Sequence, residues 1–525
     1  HYPLRRQRQM CIRDSIYVVP QPDLQAQLAQ TSAFLSLVIS LADAGGGRLV
    51  LICSADSMSS LPAGASKAVP LEYPEISVQR LYLDAEADLL RSSSKDFATN
   101  RFVRDGWVAW LASVAASARV ECDMRVRSSG QPLMVPRLAP LPVPAPATDS
   151  AIDSSAVYLI TGGSGGLGGA LVDWLLDVQH VPPVHVVLLS RRGQLHPRGV
   201  SSIAANLSDA ASLSRNESLT QVLRELDGRP LGGIFHLAGV LDDGLIANLD
   251  ERRVASVVSP KAGIFPLLSL CKDMNVSPPW VLLASSTSSL FGYAGQANYC
   301  AANALLDQAA TFGLSDVDIS AGAQRPRILT INFGPWGEVG MAREGTKAHA
   351  LSLASGETPM SSADAIGCMA QALRAIRSGT PSEPGPNLQF CIAQVQWWRS
   401  PWPDHPLVQG VLRRTPASLR QPPASPAALA APVTPAPSAV SSAVVVGSTA
   451  TGLADGRARA EAWMRGRLSE WDPESMLAAL GLDSLDLVQL RNAFNKHFRT
   501  EVALSIFSNA SQTLNELLDR VGKLV

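Results

Sequence analysis

The sequence predicts an α/β protein: a doubly wound parallel β-sheet with helices on both faces, preceded by a smaller α/β segment and followed by a small all-α helical bundle. Three observations carry that expectation. The stretch 155–400 opens with an apolar strand, "AVYLI", passes through a glycine-rich turn into an apolar helix, and continues in strand and helix alternation, as parallel strands joined by crossover helices do. The stretch 16–135 mixes β-type runs, "RLVLICS" and "VQRLYLD", with a helical "WVAWLASVAASA". In 456–525, "LGLDSLDLVQLRNAFNKHF" sets Leu487, Leu490, Phe494 and Phe498 at helical spacing.

The totals agree with several units. A chain of 525 residues exceeds one core, and roughly 150 residues per domain suggests about three or four. Two Pro/Ala-rich stretches, 136–150 and 401–455, read as semi-extended linkers, because proline fixes φ and these residues offer little to bury. The expected division is therefore 16–135, 151–400 and 456–525. Residues 1–15, basic and without a starting methionine or an apolar h-region, do not read as a secretory signal and are set aside as a truncated or non-native end.

Composition narrows the class. With 46% hydrophobic residues, 17% charged and a net charge of −1, nothing points to nucleic acid or an anionic membrane. The seven cysteines are odd in number and never spaced C-x-x-C, so neither a disulfide framework nor a metal site is expected, and a cytoplasmic or other reducing soluble compartment fits. No apolar run approaches the roughly 18 residues of a membrane span; "AFLSLVIS" at 33–40 reads as one buried helical face.

The first chemical motif is "TGGSGGLGGALVDWLL" at 161–176. Gly162, Gly163, Ser164, Gly165, Gly166 and Leu167 lie between a strand and a helix, where glycines let the backbone approach a pyrophosphate at the helix N-terminus. An ordinary glycine-rich turn is the alternative. The next strand ends in Ser190, Arg191 and Arg192, where an NAD-selective site would put an acid for the ribose hydroxyls; arginine suits a 2′-phosphate, hence NADPH. A solvated arginine pair is the plain alternative.

The second motif is "SSTSSLFGYAGQANYCAAN" at 285–303. A ketone accepting hydride develops charge on oxygen, so an acid and a second donor must converge there. Tyr299 is the candidate acid and Ser286 the second donor. A phenol near its free pKa of about 10 needs a neighbouring cation to exchange protons readily. In short-chain dehydrogenases and reductases, which the stretch resembles, a lysine follows four places later; here that place is Asn303.

With "IFHLAGVLDDG" (234–244) and "SPKAGIFPLL" (259–268), the glycine turn and the Ser286, Tyr299, Asn303 set resemble the ketoreductase domain of modular polyketide synthases. There lysine and asparagine have exchanged places, which implies that Lys261 reaches the tyrosine from a neighbouring helix, lowering its pKa, and that Asn303 positions lysine and a water. The resemblance implies a Rossmann-like catalytic fold after a degenerate Rossmann structural subdomain, represented by "LPAGASKAVPLEYPEISVQRLYLD" and "RVECDMRVRSSGQPLMVPRL". Ala238 and Gly239 fall on the cofactor side, and "TINFGPWGEVGMA" (330–342) on the segment that closes over substrate. Leu241, Asp242 and Asp243 resemble the stereocontrol signature of B-type enzymes, which form the D-alcohol. Asn298, and Phe291 in the place of a tryptophan, agree. Ala294 stands where proline is common, Asn206 where an aspartate contacts adenine, and Ala301 where some B-type enzymes carry proline. His236 reads as structural.

One feature departs from the pattern. Between Ser190 and the next strand, from Val200, lie only residues 191–199, where a parallel crossover ordinarily needs a dozen or more, usually with a helix. A missing segment, a rebuilt adenine side or an impaired domain would each account for it.

Finally, 480–498 closely resembles acyl carrier domains, which implies 4′-phosphopantetheine on Ser484, at a helix start whose positive end suits a phosphodiester. The expected function is reduction of a β-ketoacyl thioester by NADPH, in a fragment served by ketosynthase and acyltransferase domains and a phosphopantetheinyl transferase. A reductase fold kept only as scaffold for a carrier and docking module is the alternative.

Overall fold

The computed structural model describes residues 14–18, 24–54, 60–83, 123–126, 135–140, 152–312, 326–377, 387–397, 400, 402, 405–414, 453–468, 472–475, 484–500, 502, 504–507 and 512–524. The helix expected over 107–118 and most of both linkers lie outside them.

The first unit is a parallel sheet in the order β1-β2-β3-β4: β1 (Asp14–Val18), β2 (Gly47–Ser54), β3 (Ile76–Leu83) and β4 (Asp123–Val126). Asp14 pairs with Arg48, so the sheet begins inside the stretch that the sequence reading set aside. Helix α1 (Leu24–Asp43) buries Leu28, Thr31, Phe34, Leu35 and Val38, one face at i, i+3, i+4 spacing. Two short helices follow, α2 (Ser60–Ala65) and α3 (Val69–Glu72).

The second unit is a seven-stranded sheet. In chain order its strands are β5 (Val157–Thr161), β6 (Val186–Ser190), β7 (Ser201–Ala204), β8 (Leu231–His236), β9 (Trp280–Ser286), β10 (Arg327–Phe333) and β12 (Leu388–Ile392). In space they run β12-β10-β9-β8-β5-β6-β7, every pair parallel. β5 and β6 are buried at every position, which explains their unbroken apolar sequence. The order reverses between β5 and β8, and a crevice opens where their C-terminal ends diverge. Around the sheet stand α4 (Gly166–Asp173), α5 (Glu217–Glu225), α6 (Glu251–Ala262), α7 (Ile264–Asp273), α8 (Ala297–Phe312) and α9 (Ser362–Arg377). β11 (Glu357–Thr358) and β13 (Gln394–Val395) form a separate antiparallel pair.

The two units share one apolar core, in which Phe34, Leu61 and Val69 of the first pack with Val254, Val257, Ala301 and Leu305 of α6 and α8. Two stretches, Leu24–Asp43 and Glu251–Asp273, pass a length and composition test for crossing a bilayer, because averaging over a window tolerates the polar residues that interrupt any apolar run. Both pack against protein, and the second is two helices meeting at Gly263.

Two further expectations change. The link between β6 and β7 is residues 191–200, without a helix, yet the strands pair in parallel register from Val187 and Ser201. Turns at Gly193 (φ +55°) and Gly199 (φ +71°) fold it, and Arg198 pins it to the helical layer, donating to Asp173 at 2.9 Å and to Asp177 at 2.8 and 2.5 Å. The start of the second linker is also folded. Residues 405–414 form a short 3-10 helix and an α-helical turn, and Trp402 stacks on Phe291 with centroids 4.8 Å apart.

The last unit contains α10 (Leu453–Arg465), α11 (Ser484–Phe498) and α12 (Leu514–Val521). Leu487, Leu490 and Phe494 are buried with Trp463, Phe507 and Leu517, and Phe498 packs against them half-buried. Thr513 and Glu516 close a capping box on α12.

Candidate active site

A cavity of about 1460 Å³ lies at the crevice between β5 and β8. One end is built by the glycine turn. Gly162 has φ +69°, and a Cβ there would stand 2.9 Å from the backbone of Ala238; at Gly166 it would meet Gly340 N at 2.5 Å. Only glycine fits this close approach. Gly162, Ser164, Gly165, Gly166 and Leu167 line the cavity, and α4 starts there at Gly166, where first-turn N–H groups have no intrahelical partner. Gly163 instead packs on Leu188. Ser190 and the exposed Arg191 line the far wall with Asn206, as do Ala238 and Gly239; Arg192 is exposed and stands outside it. A glycine cradle at a helix start with a guanidinium at its rim fits a dinucleotide phosphate chain.

The other end holds the residues expected to move the proton. Lys261 on α6, Ser286 at the end of β9 and Tyr299 on α8 all line the cavity. Lys261 is 4% exposed and its Nζ donates to Ala284 O at 2.5 Å. Burial pushes the ammonium down to about 8, against the pull of the Asp307 carboxylate. Tyr299 is half-buried, and desolvation raises its phenol above the ordinary value against the opposing pull of the nearby Asn303 and Ser286 side chains; Asp243 and Cys300 add to the rise. This corrects the expected lowering: with Lys261 turned to the Ala284 carbonyl, burial outweighs what favours the phenolate. Asn303, fully buried, donates through Nδ2 to Tyr299 O at 2.9 Å, while its Oδ1 accepts nothing from the protein.

His236 secures the lysine from behind. It is fully buried, burial pushes it down to about 3, and its Nε2 faces Lys261 O at 2.9 Å while its Nδ1 faces Thr161 Oγ1 at 2.8 Å. A carbonyl only accepts, so Nε2 carries the proton and Thr161 donates to Nδ1. Thr161 Oγ1 in turn accepts from Ala238 N at 3.3 Å. The chain joins β5, β8 and α6.

Leu241 lines the cavity; Asp242 and Asp243 follow it in the chain and stand outside the lining. Asp242 accepts from Arg253 Nε at 3.0 Å and Nη2 at 2.7 Å, Asn298 Nδ2 donates to Asp242 O at 2.7 Å, and Gln296 Nε2 donates to Asp243 at 3.0 Å. The loop is thus tied to the residues just before Tyr299. The segment 333–343 lines the opposite wall.

Sequence reasoning missed the polar cluster behind Ser286. Asn332 Nδ2 lies 2.9 and 3.0 Å from the two Asp307 oxygens and 3.2 Å from Ser286 O, and Ser289 Oγ donates to Asp307 at 2.5 Å. An acid inside the apolar helix "CAANALLDQAATF" was the available signal. Glu72 was also missed: fully buried, it accepts from Ile246 N and Gly295 N, each at 2.8 Å. Ser484 begins α11.

Comparison with known proteins agrees with this fold. Residues 156–337 match the KR domain family and residues 467–521 the phosphopantetheine attachment site family. Among curated relatives, polyketide synthase GfsE of Streptomyces halstedii is 32% identical over 450 residues, 80% of this chain and 11% of the relative. GfsB of the same organism is 36% identical over 259 residues, 47% of this chain and 4% of the relative. The chain therefore spans a small fraction of each. Among solved structures, an A1-type ketoreductase covers 75% of this chain and 80% of its own at 24% identity and TM-score 0.58, a likeness of fold. A-type ketoreductases from a modular polyketide synthase cover 73% and 77% at 25% identity and TM-score 0.57.

Proposed function

We propose that this chain, which carries the ketoreductase and carrier domains of a modular polyketide synthase, reduces a β-ketoacyl thioester to a β-hydroxyacyl thioester with NADPH. The observation that carries the reading is the convergence of Tyr299, Ser286 and Lys261 in the cavity that also holds the glycine turn.

Gly162, Ser164, Gly165, Gly166, Leu167, Ser190, Ala238 and Gly239 would hold NADPH, which would supply the hydride. Arg191, on the cavity wall, would meet the 2′-phosphate, and Arg192, beyond the wall, would add field without contact. Ser286 donates to the substrate oxygen and holds it in reach of Tyr299. The phenol, which burial keeps protonated well above neutrality, gives its proton to that oxygen as charge develops. Lys261 then favours the phenolate electrostatically, and Asn303, whose Oδ1 has no protein donor, resupplies protons through water. Leu241, Asp242 and Asp243 present the carbonyl face that yields the D-alcohol. Ser484 carries the chain on 4′-phosphopantetheine, installed by a phosphopantetheinyl transferase, and the tether raises its effective concentration at the cavity to the millimolar range. Ketosynthase and acyltransferase domains supply the substrate, in a reducing compartment.

NADPH consumption with a small β-keto thioester, followed by chiral analysis of the alcohol, tests this. Turnover faster with NADPH than NADH, and a D product, are expected; no turnover while the carrier still accepts the arm would leave the reductase fold a scaffold. Intact mass should show the arm on the wild type and not on Ser484→Ala.

A further inference from the structure

Glu72 belongs to the first unit, whose described residues reach the cavity wall at Leu71 and supply none of the glycine turn or the Ser286, Tyr299, Lys261 set. Its side chain nevertheless leaves its own unit and ends between two loops of the second. Oε2 accepts from Ile246 N and Oε1 from Gly295 N, each at 2.8 Å, and Gly244 N donates to Gly295 O at 2.8 Å, closing the two loops on each other. The first loop follows Leu241, Asp242 and Asp243 directly. The second, with Tyr293, Ala294 and Gln296 on the cavity wall, leads into α8 and Tyr299. Gly295 takes φ +78°, so its N–H reaches the carboxylate only while the turn keeps a shape that other residues rarely adopt.

We propose that Glu72 is a positioning residue for the reduction: its carboxylate locks the loop after Leu241-Asp242-Asp243 to the loop entering Tyr299, and so fixes which face of the substrate carbonyl is presented. This rests on the ketoreductase reading. Two oxygens serve two N–H donors, so the lock needs a carboxylate. A glutamine has one acceptor oxygen and must turn its NH₂ toward the other donor, leaving a buried N–H unpaired. Protonation has a similar effect, since it turns one acceptor into a donor. Burial raises Glu72 to about 7, against the two backbone hydrogen bonds and the Arg491 guanidinium, which also donates to Glu72 O. The other titratable groups facing it are Tyr73 on its own turn and Cys300 on α8, while Glu75 acts on Tyr73 and Arg491. The lock is therefore whole above about pH 7 and loosens below it.

The test uses the full chain, NADPH and a small β-keto thioester without an α-substituent, and reads the enantiomer ratio of the alcohol. That ratio counts the carbonyl face presented and does not depend on how much enzyme is folded. Glu72→Gln should lower the ratio at least fivefold and raise thioester KM at least threefold, with NADPH KM within twofold. Wild-type selectivity should fall between pH 8 and pH 6, and that of Glu72→Gln should stay flat. An unchanged ratio and KM in the variant overturn the proposal; if the variant does not fold, a wild-type ratio flat between pH 8 and pH 6 does so. Absence of wild-type turnover would refute the ketoreductase reading instead. Deuterium exchange at 244–248 and 293–296 then decides: faster in Glu72→Gln supports the lock, and equal rates overturn it.

Discussion

The chain builds two parallel α/β sheets, and they use their strand ends differently. In the seven-stranded sheet the C-terminal ends of β5, β8 and β9 open on a cavity with the glycine turn, Lys261, Ser286 and Tyr299 around it. In the four-stranded sheet, β3 and β4 are joined across their register by a buried ion pair, Arg80 Nε to Asp123 at 2.7 Å with the side chains 4% and 12% exposed. Burial pushes the Asp123 carboxyl up, but the Arg80 charge, helped by Lys67 and by the hydrogen bonds from Arg80, outweighs it and holds the group well below the usual carboxylate range. One architecture thus builds both a lined cavity and a closed ion pair, and what separates them is which side chains stand at the strand ends. The scaffold still reaches into the site by single long contacts, Glu72 to the two loops and Lys67 Nζ to Ser289 O at 2.5 Å.

If the division is real, three perturbations should act on one half only. The largest is Tyr299→Phe, expected to cut turnover by about 10²–10⁴-fold while NADPH affinity and melting temperature stay near wild type; stopped-flow reduction and cofactor titration check both. Unchanged turnover would move the acid elsewhere. Next is Asp123→Asn, which leaves Arg80 buried without its counter-charge and should cost about 3–5 kcal/mol of stability in a denaturant titration, with kcat per folded molecule unaltered. Because Asp123 is depressed on folding, its contribution is whole above about pH 4 and drains away on acidification. A kinetic defect in Asp123→Asn would mean that the first sheet does more than support. The smallest is a pH effect: Lys261 is charged below about 8 and neutral above, so kcat should fall about tenfold per pH unit beyond that point. A level profile to pH 9.5 would remove the ammonium from the reaction.

What could be read in advance was local. The glycine turn, the serine, tyrosine and asparagine on 285–303, and the apolar face of the carrier helix each sit within a score of residues, where spacing alone shows what faces what. Glu72 could not be found that way, because its partners lie 174 and 223 positions further along the chain. Arg198 was hidden for another reason. A loop of ten residues can replace a crossover helix only if something anchors it, and Asp173 and Asp177 look like ordinary helix-surface acids until the loop is folded against them. The start of the second linker misled by composition: proline-rich sequence reads as tether, yet Trp402, Leu407 and Val408 supply enough apolar surface to fold onto Phe291.

The imidazole behind Lys261 takes no part in how the centre responds to acid. Held neutral until about pH 3, it donates to the same carbonyl across every cytosolic or endosomal condition. The pedestal under the ammonium is therefore insulated from acidification, and any pH response in activity originates in groups that face solvent, solute or the loops, never in the mounting itself.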